Sequence, residues 1–229
     1  MRIITFVTQK GGTGKSTLAT SLAVAAMQAG EKVLAVDLDE QGTLAGWAEI
    51  RKGVAPAVAR LPKHESARLP ELLKKAADSY TLAILDTPGT DSPATHNAMS
   101  AADLCLVPLR PTRPDGLAVA PTVQALIQGK RHFAFVLSQC PTTPKNSRAA
   151  EMASGLGSLG LLAEPLICQR ADYQDAFAAG KGVTEYAEDG KAADEIRQLW
   201  LWVDKHAGKQ EKPYVESFLA PIKAKAKSA

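Results

Sequence analysis

The sequence predicts an α/β fold: a doubly wound, mostly parallel sheet with helices on both faces. Three observations predict it. Short apolar runs alternate along the chain with segments of helical periodicity. The apolar runs are continuous rather than alternating, as expected of strands buried on both faces of a parallel sheet. A glycine-rich loop joins the first run to the first helical segment.

The elements follow in order. Residues 2–8 read as a β-rich strand, and 15–29 as a helix stopped by Gly30. Residues 32–36 form a second strand ending on Asp37, followed by a helix at 44–51. A helix at 66–79 precedes a strand at 82–85 that ends on Asp86. The strand at 104–109 is closed by prolines, then come a helix at 117–128 and a strand at 133–138. Helices at 147–159 and 189–205 complete one domain, residues 1–207. Residues 208–229 are a lysine-rich appendage interrupted by Pro213 and Pro221.

Composition excludes several classes. With 45% hydrophobic and 22% charged residues in a chain of 229, a sizeable core is expected and global disorder is not. The net charge of +3 is too mild to imply a nucleic-acid partner by itself. Cys105, Cys140 and Cys168 form no CxxC pair, which argues against a zinc ribbon or an iron–sulfur cluster. Reduced thiols in the cytoplasm are the expectation. The N-terminus does not read as a signal peptide, because its apolar run passes at once into a polar glycine loop. No apolar stretch approaches the roughly 20 residues that span a bilayer.

The loop is QKGGTGKST, residues 9–17. Gly14, Lys15 and Ser16 stand where a P-loop requires them, but Gln9 occupies the place of the first glycine. Gly11, Gly12, Thr13 and Gly14 let backbone N–H groups converge on phosphate oxygens at a helix N-terminus. Lys15 is expected on the β- and γ-phosphates, Ser16 on Mg²⁺ and Thr17 at the α-phosphate. Asp86, in LAILDTPG, is placed to hold Mg²⁺ directly or through water. Of Asp37 and Asp39 in VDLDEQG, one can support the metal and the other can position the attacking water. Lys10 cannot easily serve the phosphates already served by Lys15. It could instead reach a neighbouring site and neutralise charge there in trans, in the manner of an arginine finger.

At these residues the sequence resembles the ParA/MinD family of P-loop NTPases. KGGTGKST resembles the family's deviant Walker A motif, with Lys10 at the signature lysine. VLAVDLDEQGTLAGW resembles the switch I segment, usually DxDPQ, and LAILDTPG the Walker B and switch II segment. The similarity spans roughly residues 1–205, and the short ParA and ParF-like partition proteins match it best. It implies an ATP- and Mg²⁺-dependent hydrolase that forms a homodimer on binding ATP and then binds non-specific double-stranded DNA. A ParB-like centromere-binding or adaptor protein would stimulate slow hydrolysis, and a plasmid or chromosomal cargo would be positioned. A cytoplasmic, nucleoid-associated location follows from the same resemblance. Carried over, the catalytic residues are Lys10, Lys15 and Asp39, and the metal residues Ser16, Asp37 and Asp86. Base contacts would come from Ser138, Gln139, Cys168 and Arg170, with Pro111 and Pro114 nearby. The chain departs from the pattern at Glu40, where proline is usual, and at Arg110 and Arg113 in the proline-rich segment.

Candidates for the DNA surface are Lys130, Arg131, Lys145, Arg148, Arg197 and Lys205, with Lys209 and Lys212 beyond them. None is interleaved with aromatics, so backbone contacts rather than base stacking are expected. In the appendage, Tyr214, Val215, Phe218, Leu219 and Ile222 fall at helical spacing beside lysines. A MinD-like membrane helix is one reading, but Pro221 interrupts it, and packing on the domain or a partner is the expectation. The alternatives are a MinD-like, conjugation-associated or protein-cargo positioning ATPase, and a nucleotide-switched polymer that barely turns over.

Overall fold

In the computed structural model, which describes residues 1–143, 147–159 and 162–208, six parallel strands form one sheet in the order β3-β2-β4-β1-β5-β6. They are β1 (Arg2–Phe6), β2 (Val33–Asp37), β3 (Ala57–Arg60), β4 (Leu82–Asp86), β5 (Leu104–Leu109) and β6 (Phe133–Leu137). The helices are α1 (Lys15–Gln28), α2 (Thr43–Arg51), α3 (Leu69–Ala76), α4 (Pro93–Ala101), α5 (Arg113–Ala118), α6 (Ala120–Gln128), α7 (Ser147–Leu159), α8 (Ala171–Ala178), α9 (Val183–Tyr186) and α10 (Lys191–His206). The doubly wound expectation holds.

The continuous apolar strands divide their side chains between two cores by the two-residue period of a strand. Ile4, Phe6, Ile84, Leu106 and Val136 join α1 and α10 through Leu18, Leu22, Ile196 and Leu199. On the other face, Cys105, Val107 and Phe135 meet Val123 and Leu126 of α6. Val36 and Leu85 meet Leu69 and Leu73 of α3 and Ala98 of α4.

Several elements differ from expectation. Periodicity does not mark the edge strand β3 or the helices α4, α8 and α9. The helix expected over 66–79 is a 3₁₀ turn, Lys63–Arg68, followed by α3. Pro70 sits in the first turn of α3, where its missing N–H costs nothing. The helix expected over 117–128 is two, α5 and α6, each with a proline in its first turn. Lys145 and residues 209–229, with Lys209, Lys212 and the apolar stripe, lie outside the described residues.

The sheet topology places the site. The chain leaves β1 toward β2 on one side, and β5 continues to β6 on the other. A crevice opens at the carboxyl ends of the strands where such connections diverge. The register sets Asp86 beside both Phe6 and Asp37, so the ends of β1, β2 and β4 deliver their loops to one place.

Candidate nucleotide and magnesium site

The loop after β1 turns on two left-handed glycines, Gly12 (φ 75) and Gly14 (φ 91). Gly14 is the residue before α1, so its conformation starts the helix. A side-chain carbon added at Gly11 or Gly12 would meet nothing within 4 Å, which leaves their backbone open to a ligand. Lys15, only 8% exposed, folds over the loop. Its Nζ donates to the carbonyls of Thr8 at 3.4 Å and Lys10 at 3.3 Å. Burial lowers its pKa, and the charges of Asp86 and Asp39 work against that shift.

Asp86 closes β4 with no solvent exposure, and neither carboxylate oxygen has a hydrogen bond of good geometry. Burial pushes its carboxyl up to about 7, and Asp37 and Asp39 add to the rise. The facing Ser16 hydroxyl and Lys15 oppose it. An orphaned buried carboxylate beside a hydroxyl is a hard-oxygen donor set of the kind Mg²⁺ takes, so these residues fit that ion. Thr13 Oγ1 is likewise buried without a partner.

Both carboxylate oxygens of Asp37 accept backbone amides. Its Oδ1 accepts the Asp39 amide at 2.9 Å and its Oδ2 the Ala45 amide at 2.8 Å. It therefore holds the loop between β2 and α2. Burial raises its pKa while those two amides lower it. Asp39, half-buried at the head of that loop, exerts its charge on both Lys15 and Asp86. The loop after β4 also reaches the phosphate loop. A side-chain carbon at Gly89 would stand 3.3 Å from the Gly11 amide nitrogen and 3.4 Å from Lys15 Nζ. The motif DTPG carried the signal for this contact.

Beside Gly12, Gly14 and Thr17 lies a cavity of about 280 Å³. Ser138, Gln139, Cys168 and Arg170 line it; Pro111 and Pro114 do not. The Ser138 and Gln139 side chains are tied to the phosphate loop itself. Ser138 Oγ donates to Thr13 O at 2.8 Å and Gln139 Nε2 to Gly12 O at 2.7 Å. Arg170 forms two bonds to Glu195, at 3.0 and 2.6 Å. Glu195 also accepts the Cys168 amide and the Tyr173 hydroxyl, each at 3.1 Å. Tyr173, Gln174 and Glu195 escaped sequence reading because nothing local marks them.

The Lys10 side chain is held by a carboxylate. Its Nζ pairs with Asp115 Oδ1 at 3.1 Å, and Arg110 grips the same carboxylate at 2.6 Å. Burial would raise the Asp115 pKa, but the Arg110 and Lys10 contacts outweigh it and hold the carboxyl below its usual range. Asp115 lies 105 positions from Lys10 in the chain, and no motif announces the pair.

The basic candidates are spread over separate elements. Lys130 and Arg131 lie in the turn before β6, Arg148 is on α7, and Arg197 and Lys205 are on α10. Arg131 donates to Ser100 O and Arg197 to Glu188 O. Among the described residues no helix is long and apolar enough to cross a membrane.

The profile of the CobQ/CobB/MinD/ParA nucleotide binding domain matches residues 4–198. A carboxysome distribution protein A from Halothiobacillus neapolitanus is 28% identical over 198 residues, covering 83% of this chain and 90% of that one. Its counterpart from Gloeobacter kilaueensis is 37% identical over 127 residues, and there the match covers 55% of this chain and 57% of the relative. The chromosome-partitioning ATPase Soj of Thermus thermophilus is 32% identical, over 48% of this chain and 55% of its own length. Among solved structures, the cell division ATPase MinD of Pyrococcus furiosus superposes with a TM-score of 0.70 at 24% identity, covering 89% of this chain and 98% of that one. The Cyanothece McdA–ATP complex gives a TM-score of 0.72 at 16% identity, covering 92% and 98%.

Proposed function

The chain belongs to the CobQ/CobB/MinD/ParA nucleotide-binding family, and from that premise we propose that it is an ATP hydrolase whose ATP-bound dimer positions cargo on DNA. The observation that carries the reading is the convergence of Lys15, Asp39 and the orphaned Asp86 on one loop, while the Lys10 side chain is paired with Asp115 instead.

In this reading Lys15 and the open amides of Gly11 and Gly12 bind the phosphates, and the base enters the cavity walled by Cys168, Arg170 and Tyr173. Ser16 and Asp86 hold Mg²⁺, and Asp37 supports it by fixing the loop that follows β2. Bound Mg²⁺ supplies charge neutralisation at the phosphates. Asp39 orients the attacking water. Lys10 leaves Asp115 and enters the site of a second copy, where its charge offsets that developing between the β- and γ-phosphates. Hydrolysis separates the copies, and a ParB-like or adaptor protein bound to the cargo speeds it.

Relatives named for carboxysome distribution and for chromosome partitioning support a positioning role with a large assembly as cargo. The DNA surface is assigned to the dimer, which doubles the number of Lys130, Arg131, Arg148, Arg197 and Lys205 side chains. A cytoplasmic, nucleoid-bound location follows. The test is binding to non-specific duplex DNA with no nucleotide, ADP or ATP, at two salt concentrations. Binding that requires ATP and weakens steeply with salt supports the reading. Its absence with ATP at either salt removes DNA as the partner and turns the test to liposomes.

A further inference from the structure

The loop that carries Asp39 is a tight turn with an unusual second position. Asp39 O accepts the Gly42 amide at 3.0 Å, and Asp39 Oδ1 accepts the Gln41 amide at 3.1 Å. Residues 39–42 therefore form a four-residue turn with aspartate first. Proline is favoured at the second position of such turns, because its ring presets φ. This chain has Glu40 there. The turn lacks the ring constraint of proline, and a contact from another element adds to the hydrogen bonds that Asp37 and Asp39 make within the loop.

Arg60, the last residue of the edge strand β3, makes the contact. Its Nη2 donates to Glu40 O at 2.9 Å. Its guanidinium also lies over Gly42, where an added side-chain carbon would stand 3.2 Å from Arg60 Cζ. Gly42 has φ 65, so glycine serves there both the left-handed backbone and the close approach of the guanidinium. Lys63 adds a longer tether to the Glu40 carboxylate at 3.8 Å, between two exposed side chains.

We propose that Arg60 is a positioning residue for hydrolysis: it fixes the 39–42 turn, and through it the Asp39 carboxylate, in place of the rigidity that proline would give at position 40. This rests on Asp39 orienting the attacking water. Arg60 touches neither the phosphate loop nor the base cavity, so its effect falls on turnover and not on nucleotide binding. The contact is exposed, which keeps the effect modest.

The experiment compares Arg60→Ala, Arg60→Lys, Asp39→Ala and the double variant Arg60→Ala/Glu40→Pro. Single-turnover ATP hydrolysis, ATP affinity and amide hydrogen exchange at Gln41 and Gly42 are measured for each. Arg60→Ala is expected to slow hydrolysis roughly five-fold at unchanged affinity, the worth of about one hydrogen bond, and to speed exchange at both amides. Arg60→Lys, which can still donate to one carbonyl, recovers part of both. The double variant restores both, since the ring replaces the lost clamp. Parental hydrolysis and exchange in Arg60→Ala, or a double variant as slow as the single, overturns the inference. Should Asp39→Ala hydrolyse at the parental rate, the role of Asp39 falls and the inference falls with it. A dead Asp39→Ala beside a parental Arg60→Ala removes only the role of Arg60.

Discussion

Replacing Asp86 by asparagine is expected to make the nucleotide-free protein more stable while destroying its function. The carboxylate is fully buried, and neither oxygen has a hydrogen-bond partner. Burial, with Asp37 and Asp39 adding to it, moves its pKa from 3.8 to about 7. A folded-state pKa raised this way means the carboxyl supports folding below pH 3.8 and works against it as the pH rises through about 7. At pH 8 the charged form carries about 4 kcal/mol of unfavourable free energy, at about 1.4 kcal/mol per tenfold. Asparagine removes that charge but buries an amide that must find partners, which costs about 2 kcal/mol. The net gain is about 2 kcal/mol, or a rise in Tm of roughly 4–8 °C for a chain of this size. Thermal unfolding of parent and Asp86→Asn, in chelator without nucleotide, measures it at pH 8 and again at pH 5. The gain should shrink at pH 5, where the parent carboxyl is mostly protonated. Mg²⁺-dependent ATP binding by the variant should be lost. A variant no more stable than the parent at pH 8 would refute the claim that Asp86 is a charge stored for a cation.

Three further outcomes follow from other contacts. Lys10→Ala should leave ATP affinity within a few-fold of the parent, because Lys10 faces Asp115 at 3.1 Å rather than the phosphate loop; stimulated hydrolysis should fall roughly a hundred-fold or more, and equal loss of binding would sink the trans role. Arg51→Ala should cost about 3 kcal/mol, since it leaves Glu185 and the carbonyls of Ala55 and Gly180 without their buried partner. Burial raises the Glu185 carboxyl, but the Arg51 and Gly182 hydrogen bonds hold it below its ordinary 4.5, so the stability gap between parent and variant should close as the pH falls below that value in denaturant titrations. Glu195→Gln should weaken ATP binding roughly three- to ten-fold by loosening Arg170 and the Cys168 amide at the cavity wall, and unchanged affinity in a titration would remove that wall from the base site.

The phosphate loop, the strand-end aspartates and the doubly wound sheet are legible in the sequence because each depends on residues close together in the chain. Continuous apolar runs mark the buried strands, and glycines followed by lysine and serine mark the loop. The strand β3 escapes because Ala57–Arg60 is short, half-exposed and lies at the sheet edge. The helices α3 and α6 look longer than they are because Pro70 and Pro121 read as interior residues until the structure shows them in first turns. What the sequence hides most fully is side-chain economy across the fold. Asp37 accepts a backbone amide at each carboxylate oxygen, a contact no local motif marks. Lys10 and Asp115, Arg60 and Glu40, and Arg170 and Glu195 lie far apart in the chain and meet only in the folded protein.

The central claim is that two copies complete one another's sites around ATP. The most direct test is the mass in solution of the Asp39→Ala variant with Mg²⁺ and ATP, compared with ADP, followed by the same measurement on Asp39→Ala/Lys10→Ala. A dimer is expected with ATP, a monomer with ADP, and a monomer under both conditions once Lys10 is also removed. A dimer that persists without Lys10, or a monomer with ATP in the single variant, would contradict it.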